Sequence, residues 1–282
     1  MTQDASSNKI DSHIQMPKCI LKRFENPNFN SFYSYDVRED FIKKNGHASS
    51  TNTELGYYST TVEQHLNQSI ETPFSKALSA LDEIDFDQPT ISIETTHLDA
   101  IKEFAYSLIS RDPTAHKAMN NNLVISKLLF EITAQDTHDI MAVYGPSFAK
   151  EKGLLEDYRI SFLINRTDIP FVLPICGLIQ TNKGYYLPIS PSMAIIMAHD
   201  SDINNNSDNG FSRFYIANAE VLKNRNDYAF LTQVMRQWGY VVCNNRQELE
   251  RLKLEQVKYR KFRKISKRTE VKMHKKDDKK GI

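Results

Sequence analysis

The sequence predicts an α+β fold with a mostly helical N-terminal half and a small mixed or antiparallel sheet built largely from the C-terminal half. Two observations carry this. Apolar residues recur at three- and four-residue spacing from Thr60 to Tyr144, and beyond Leu155 they fall into short runs bounded by Pro, Gly and Asn. A third sets the extent: no Pro/Gly/Ser linker divides residues 13–250, which predicts a single domain there, followed by a basic, partly disordered or helical tail over residues 251–282.

Element by element, PKCILKRF (Pro17 to Phe24) reads as a short helix or turn, Asn26-Pro27-Asn28 as a turn, and FYSYD (Phe32 to Asp36) as a strand. Val62, Leu66, Ile70, Phe74, Leu78 and Leu81 form one helical stripe capped by Thr60 or Thr61, which Pro73 is expected to kink or interrupt. A second helix follows from about Thr96 to Ser110, and Asp112-Pro113 breaks it. Leu123 to Ile132 and His138 to Tyr144 read as further helices, with Gly145-Pro146 ending the series. Tyr158 to Ile164, Phe171 to Ile175, Tyr185 to Ile189 and Ala194 to Ala198 are expected strands. A long helix from about Asn218 to Trp238 has Val221, Leu222, Tyr228, Leu231, Val234 and Met235 as its expected inner face.

The 282 residues, 40% of them hydrophobic and 25% charged, suffice for a sizeable core and exclude a disordered chain. A mean hydropathy of -0.51 and apolar runs far short of about 20 residues exclude a membrane body. Nine glycines, none in G-x-G or G-x-x-x-x-G-K arrangement, exclude the phosphate nests of dinucleotide-binding and P-loop proteins. Cys19, Cys176 and Cys243 are few and far apart, and the polar N-terminus has no secretory h-region, so a reducing, cytoplasmic location is expected.

The net charge of +1 conceals a division. Residues 251–282 hold 14 Lys and Arg against 4 Asp and Glu, which leaves a net charge of -9 on residues 1–250. Lys258, Arg260, Lys261, Arg263, Lys264, Lys267 and Arg268 are therefore expected nucleic-acid contacts, with Tyr259 and Phe262 available to stack on bases. A solvated tail lying against the acidic body is the alternative, and the body itself is an expected surface for a protein partner.

Chemical signatures are sparse. There is no H-E-x-x-H, and the Asn/Asp loop counted from Asp202 has Ser207 where a calcium loop needs Gly and Arg213 where it needs Glu. His138-Asp139 and His199-Asp200 are dipeptides too short to carry information. Arg111-Asp112-Pro113-Thr114-Ala115-His116 matches an R-x4-H string, in which an Arg steadies phosphate charge and a His moves the proton of a 2′-hydroxyl, although Pro113 breaks the local helix.

The string SHIQMPKCILKRFEN, followed by FYSYD, resembles the opening of the uncharacterised bacterial family known as domain of unknown function 4238. The spacing from His13 to Pro17 is one residue longer than that family's H-x-x-P, while Leu21 and Phe24 fit. GYYSTTVEQHLNQSIETPF resembles its helix with two glutamates, at Glu63 and Glu71. FAYSLISRDP resembles its Arg-x-Pro helix end at Arg111, and NRTDIPF with YYLPISPSMAI its late elements at Asp168, Pro170, Pro188, Ser190 and Pro191.

The resemblance thus implies His13, Glu63, Glu71, Arg111 and Asp168 as site residues, of which Glu63 and Glu71 would hold a divalent metal, Mg2+ or Mn2+, and Arg111 a phosphoryl oxygen. Eight residues apart, the two glutamates lie about 80° apart around an ideal helix and need not converge. The expected activity is phosphodiester hydrolysis of RNA or DNA, in the setting of a bacterial defence or toxin effector. The alternative is a non-catalytic interaction module with a nucleic-acid-binding tail.

Overall fold

In the computed structural model, residues 11–51, 53–88, 91–112, 134–199 and 213–257 are described. The strands are β1 (Asp11–His13), β2 (Phe32–Asp36), β3 (Phe41–Gly46), β4 (Thr53–Leu55), β5 (Tyr158–Asn165), β6 (Leu173–Pro174), β7 (Ile179–Thr181), β8 (Gly184–Ser190), β9 (Met193–His199), β10 (Arg213–Ala217) and β11 (Tyr240–Cys243). The helices are α1 (Lys18–Arg23), α2 (Thr60–His65), a π turn (Leu66–Glu71), α3 (Thr72–Asp82), α4 (Thr95–Ser110), α5 (Ala134–Glu151), α6 (Ala219–Arg236) and α7 (residues 246–257).

The fold is α+β, but the expected division into a helical half and one small C-terminal sheet is wrong. Helices are spread through the described chain and there are three sheets: β1-β4, a five-stranded β10-β5-β9-β8-β7 and a four-stranded β3-β2-β11-β6. N-terminal β2 pairs antiparallel with C-terminal β11, Tyr33 opposite Cys243, so the two ends of the chain are woven into one sheet. That pairing is invisible to local periodicity because it joins residues about 200 apart.

The central strands β5, β8 and β9 of the five-stranded sheet are buried on both faces, and the period of two sorts their residues. Ile160, Phe162, Ile164, Leu187, Ile195 and Met197 join the core shared with Ile20, Phe74, Leu78, Ile101 and Phe104 of α1, α3 and α4. Leu163, Tyr186 and Ala194 face the other way, toward Tyr35, Val241, Leu222, Phe230 and Leu249. Phe74 stacks on Phe104 with ring centroids 3.8 Å apart and locks α3 onto α4. At the β7–β8 turn Gly184 has φ +137, and a Cβ there would lie 2.0 Å from the Met197 carbonyl oxygen, so only glycine fits.

Two local expectations also need correction, and one holds in an unexpected form. Gly145-Pro146 does not end a helix: α5 runs through it to Glu151. Pro73, expected to kink or interrupt the stripe, does so through the π turn Leu66–Glu71, which breaks the α winding just ahead of it. The inner face of α6 is formed by Leu222, Asn226, Ala229, Phe230 and Gln233, whereas Val221, Tyr228 and Met235 are exposed. The reason is polar. Asn226 donates to the Pro170 carbonyl (2.8 Å) and accepts from the Val172 amide (3.1 Å), and Gln233 accepts from the Cys176 amide (2.8 Å). Two amide side chains two turns apart thus satisfy the short β6 segment and rotate the helix.

Candidate functional site

The site begins where α2 loses its α winding. The amide of Thr72 donates to Asn67, five residues back, which is π geometry. Pro73 follows, whose ring would clash with the carbonyl four residues earlier in a regular helix, so the wider turn relieves it. A π segment advances roughly 15° less per residue, and six such residues remove roughly 90°. That is close to the 80° offset that an ideal α-helix leaves between residues eight apart. The two glutamates are thereby turned toward one side, near enough that the Glu71 charge acts on Glu63.

Arg111 closes the other wall. It caps the C-terminus of α4 and is fully buried. Its Nε donates to Ser107 Oγ at 2.9 Å and its Nη1 to Glu71 Oε1 at 3.1 Å, while its carbonyl accepts from Gln15 Nε2 at 3.2 Å. Helix α5 lies directly over this helix end: a Cβ on Gly145 would sit 2.4 Å from Ser110 Cβ, so the bare glycine permits the approach. Tyr58, also buried, donates its hydroxyl to the Ile14 carbonyl at 3.1 Å and so pins the chain between β1 and α1.

Not every polar atom in this cluster is used. Among the described residues, Arg111 Nη2 and Gln15 Oε1 are buried and have no hydrogen-bond partner, while the buried Ser12 hydroxyl acts as a hydrogen-bond donor to Glu63. Burial and, after it, the Glu71 charge raise the Glu63 carboxyl above the usual carboxylate range; Arg111 and the nearby Ser12 hydroxyl oppose the rise without cancelling it. Burial and Glu71 likewise push the Cys19 thiol up to about 12, so it is a protonated neighbour rather than a nucleophile. The cluster gathers a guanidinium N–H, a hydroxyl, an amide oxygen and two carboxyls, one of them with a raised pKa.

Of the expected site residues, Glu63, Glu71 and Arg111 come together. His13 turns the other way on β1 from Ser12, and its Nε2 bonds the Ala48 carbonyl at 2.8 Å. Asp168 is exposed and lines a separate polar cleft of about 670 Å³ with Asn165, Pro170 and Pro191. His138-Asp139 is structural: His138 stacks on Tyr57 at 3.9 Å, and Asp139 Oδ1 accepts from the Ser59 amide at 2.9 Å. His116, the Leu123 to Ile132 segment, the loop from Asp200 to Gly210 and the basic residues from Lys258 onward lie outside the described residues. Among those described, no group of three or more His, Cys, Asp and Glu is placed to hold a metal ion.

Ser12, Gln15 and Ser107 were not expected. Ser107 stands four residues before Arg111, one helical turn, a spacing from which the sequence allows its contact to be inferred. Ser12 and Gln15 arrive through tertiary structure and leave no such signal.

No helix among the described residues is long and apolar enough to cross a membrane. Neither curated proteins nor solved structures yield a match to the chain. A family model described as a protein of unknown function (DUF4238) does match, over residues 15–236, a span holding Gln15, Glu63, Glu71, Arg111 and Asp168, and the chain belongs to that family.

Proposed function

We propose that the protein is a phosphodiester hydrolase acting on RNA or DNA, with its chemistry at Glu63, Glu71 and Arg111. The observation that supports this is the pair of orphaned buried atoms, Arg111 Nη2 and Gln15 Oε1, beside a carboxyl whose pKa is raised above the usual range. Leaving such groups unpaired costs about 1–3 kcal/mol each, a cost that a bound ligand repays. A phosphodiester suits the free guanidinium: Arg111 Nη2 donates to a non-bridging oxygen as charge builds at phosphorus, and a ribose hydroxyl of the same ligand can donate to Gln15 Oε1. Glu63 takes the proton of the attacking water and returns it to the leaving oxygen, a role that a raised carboxyl pKa favours near neutral pH. Glu71 holds the guanidinium in register.

A divalent ion fits this donor set only in the manner of Mg2+ or Mn2+, which complete their coordination with water and substrate phosphate rather than a protein cage. Glu63 and Glu71 would hold it, and when bound it would neutralise phosphoryl charge. The tail residues Lys258, Arg260, Lys261, Arg263, Lys264, Lys267 and Arg268 would add phosphate contacts without sequence preference. Because α7 continues to residue 257 and Gln256 is buried against the Tyr35 hydroxyl, the tail is best removed after Val257. A cytoplasmic setting and a defence or toxin role belong to this proposal.

The test is turnover of end-labelled single-stranded RNA and DNA by wild type and Glu63→Gln, with and without EDTA. Cleavage should fall at least 100-fold in Glu63→Gln, and its EDTA sensitivity reports the ion. Absence of cleavage by wild type, or full cleavage by the variant, overturns the reading. One observation favours the rival interaction module: Val221, Tyr228 and Met235 form an exposed stripe on α6 at seven-residue spacing. A chain that binds a protein partner through that stripe and turns over no polynucleotide satisfies the rival.

A further inference from the structure

The cleft bearing Asp168 is independent of the glutamate–arginine cluster, and its walls suit a different task. It encloses about 670 Å³, within the range of small-molecule sites. One rim is aromatic: Phe29, 41% exposed, meets Tyr33 edge to face with centroids 6.0 Å apart. Asn165 holds the opposite wall rigid. Its Nδ2 donates to the Ile169 and Pro191 carbonyls at 2.7 and 3.0 Å, and its Oδ1 accepts from the Thr167 amide at 2.8 Å.

Against that frame several groups remain free for a ligand. Asp168 makes no hydrogen bond or ion pair among the described residues. Asn26 and Asn245 spend their Oδ1 atoms on the amides of Asn28 (3.0 Å) and Gln247 (2.8 Å), and their Nδ2 donors have no partner among the described residues. Arg246, 58% exposed in its side chain, has only a surface pair with Glu250 at 2.8 Å and can exchange it for another anion.

We propose that this cleft binds a nucleoside monophosphate. The base stacks on the exposed face of Phe29 beside Tyr33, as bases do on aromatic platforms. The free amide donors of Asn26 and Asn245 read acceptor atoms on the base edge. The Asp168 carboxylate accepts both ribose hydroxyls, and Arg246 meets the phosphate. One carboxylate for the ribose hydroxyls and one guanidinium for the phosphate, with amides between, match a polar ligand whose negative charge sits at one end only.

Equilibrium titration calorimetry on the full chain tests it, with AMP, GMP, the 2′-deoxy form of AMP and ribose 5-phosphate as probes. Saturable binding of a ribonucleoside monophosphate is expected, weakened about tenfold or more by Phe29→Ala. Asp168→Asn should weaken it similarly and remove the preference for ribose over deoxyribose. Glu63→Gln should leave it unchanged, so the cleft and the hydrolytic reading stand or fall separately. Binding of ribose 5-phosphate as tight as that of AMP would remove the stacking argument and overturn the proposal. So would the absence of binding, or binding indifferent to both Phe29→Ala and Asp168→Asn.

Discussion

Two arginine networks among the described residues, one fully buried at Arg111 and one half-buried at Arg251, differ in how completely they are closed. Around Arg251, Nε and Nη2 meet the two oxygens of Glu248 at 2.9 and 2.7 Å, Nη1 meets Asp227 at 2.8 Å, and Asn226 adds a bond to Glu248 at 2.7 Å. The hydrogen bond to Glu248 is the first reason that the Arg251 proton is held more tightly than usual, burial notwithstanding. Around Arg111 one of the three guanidinium nitrogens, Nη2, is unused, and Gln15 Oε1 is left open beside it. A closed network serves to fasten α6 and α7 to the sheet. An open one of the same residue types costs stability without return unless something else binds there.

Breaking the closed network should give the largest effect. Glu248→Ala strands Arg251 and one donor of Asn226, and a loss of about 3 kcal/mol is expected, read as a shift in the urea midpoint. Turnover per folded molecule should be unchanged. Gly145→Ala sharpens the contrast from the other side. The new methyl collides with Ser110 next to Arg111, so roughly 2 kcal/mol of stability and most of the turnover should be lost together. A stability loss with turnover intact would show that α5 does not hold Arg111 in place.

The smallest effect is also the most diagnostic of an open site. Since the folded chain raises the Glu63 pKa, native protein binds that proton more tightly than unfolded chain does. The Glu63 penalty is therefore present at neutral pH and disappears as pH falls through the folded pKa toward the ordinary carboxylate value. Glu63→Gln should thus be slightly more stable than wild type at pH 7, by less than about 1 kcal/mol, with the advantage vanishing near pH 4. An equal or lower urea midpoint at pH 7 would mean that Glu63 is a satisfied structural carboxylate.

The sequence made one part of this contrast legible and hid the other. The stripe from Val62 to Leu81 and the alternation in β5, β8 and β9 follow from local period, and both were readable. Burial of Asn226 and Gln233 was not, because amides score as exposed until a backbone needing them is found 56 and 57 residues away. The β2–β11 pairing was hidden for the same reason of distance. At the site, Glu63 and Glu71 were identifiable as a pair, but their convergence depends on a π turn that ideal helical geometry does not anticipate. Asp168 shows the converse: a residue that a family pattern groups with the glutamates stands in another cleft.

The central claim is that the open network around Arg111 is completed by a phosphodiester, and thermal unfolding with a non-hydrolysable phosphorothioate dinucleotide tests it most directly. The account predicts that saturating dinucleotide raises the melting temperature of wild type by several degrees, as about 3 kcal/mol of linked binding would, and does so undiminished in Asp168→Asn. In Arg111→Lys, which keeps the charge but loses the fork, the shift should vanish. An unchanged wild-type melting temperature, or an equal shift in Arg111→Lys, would contradict it.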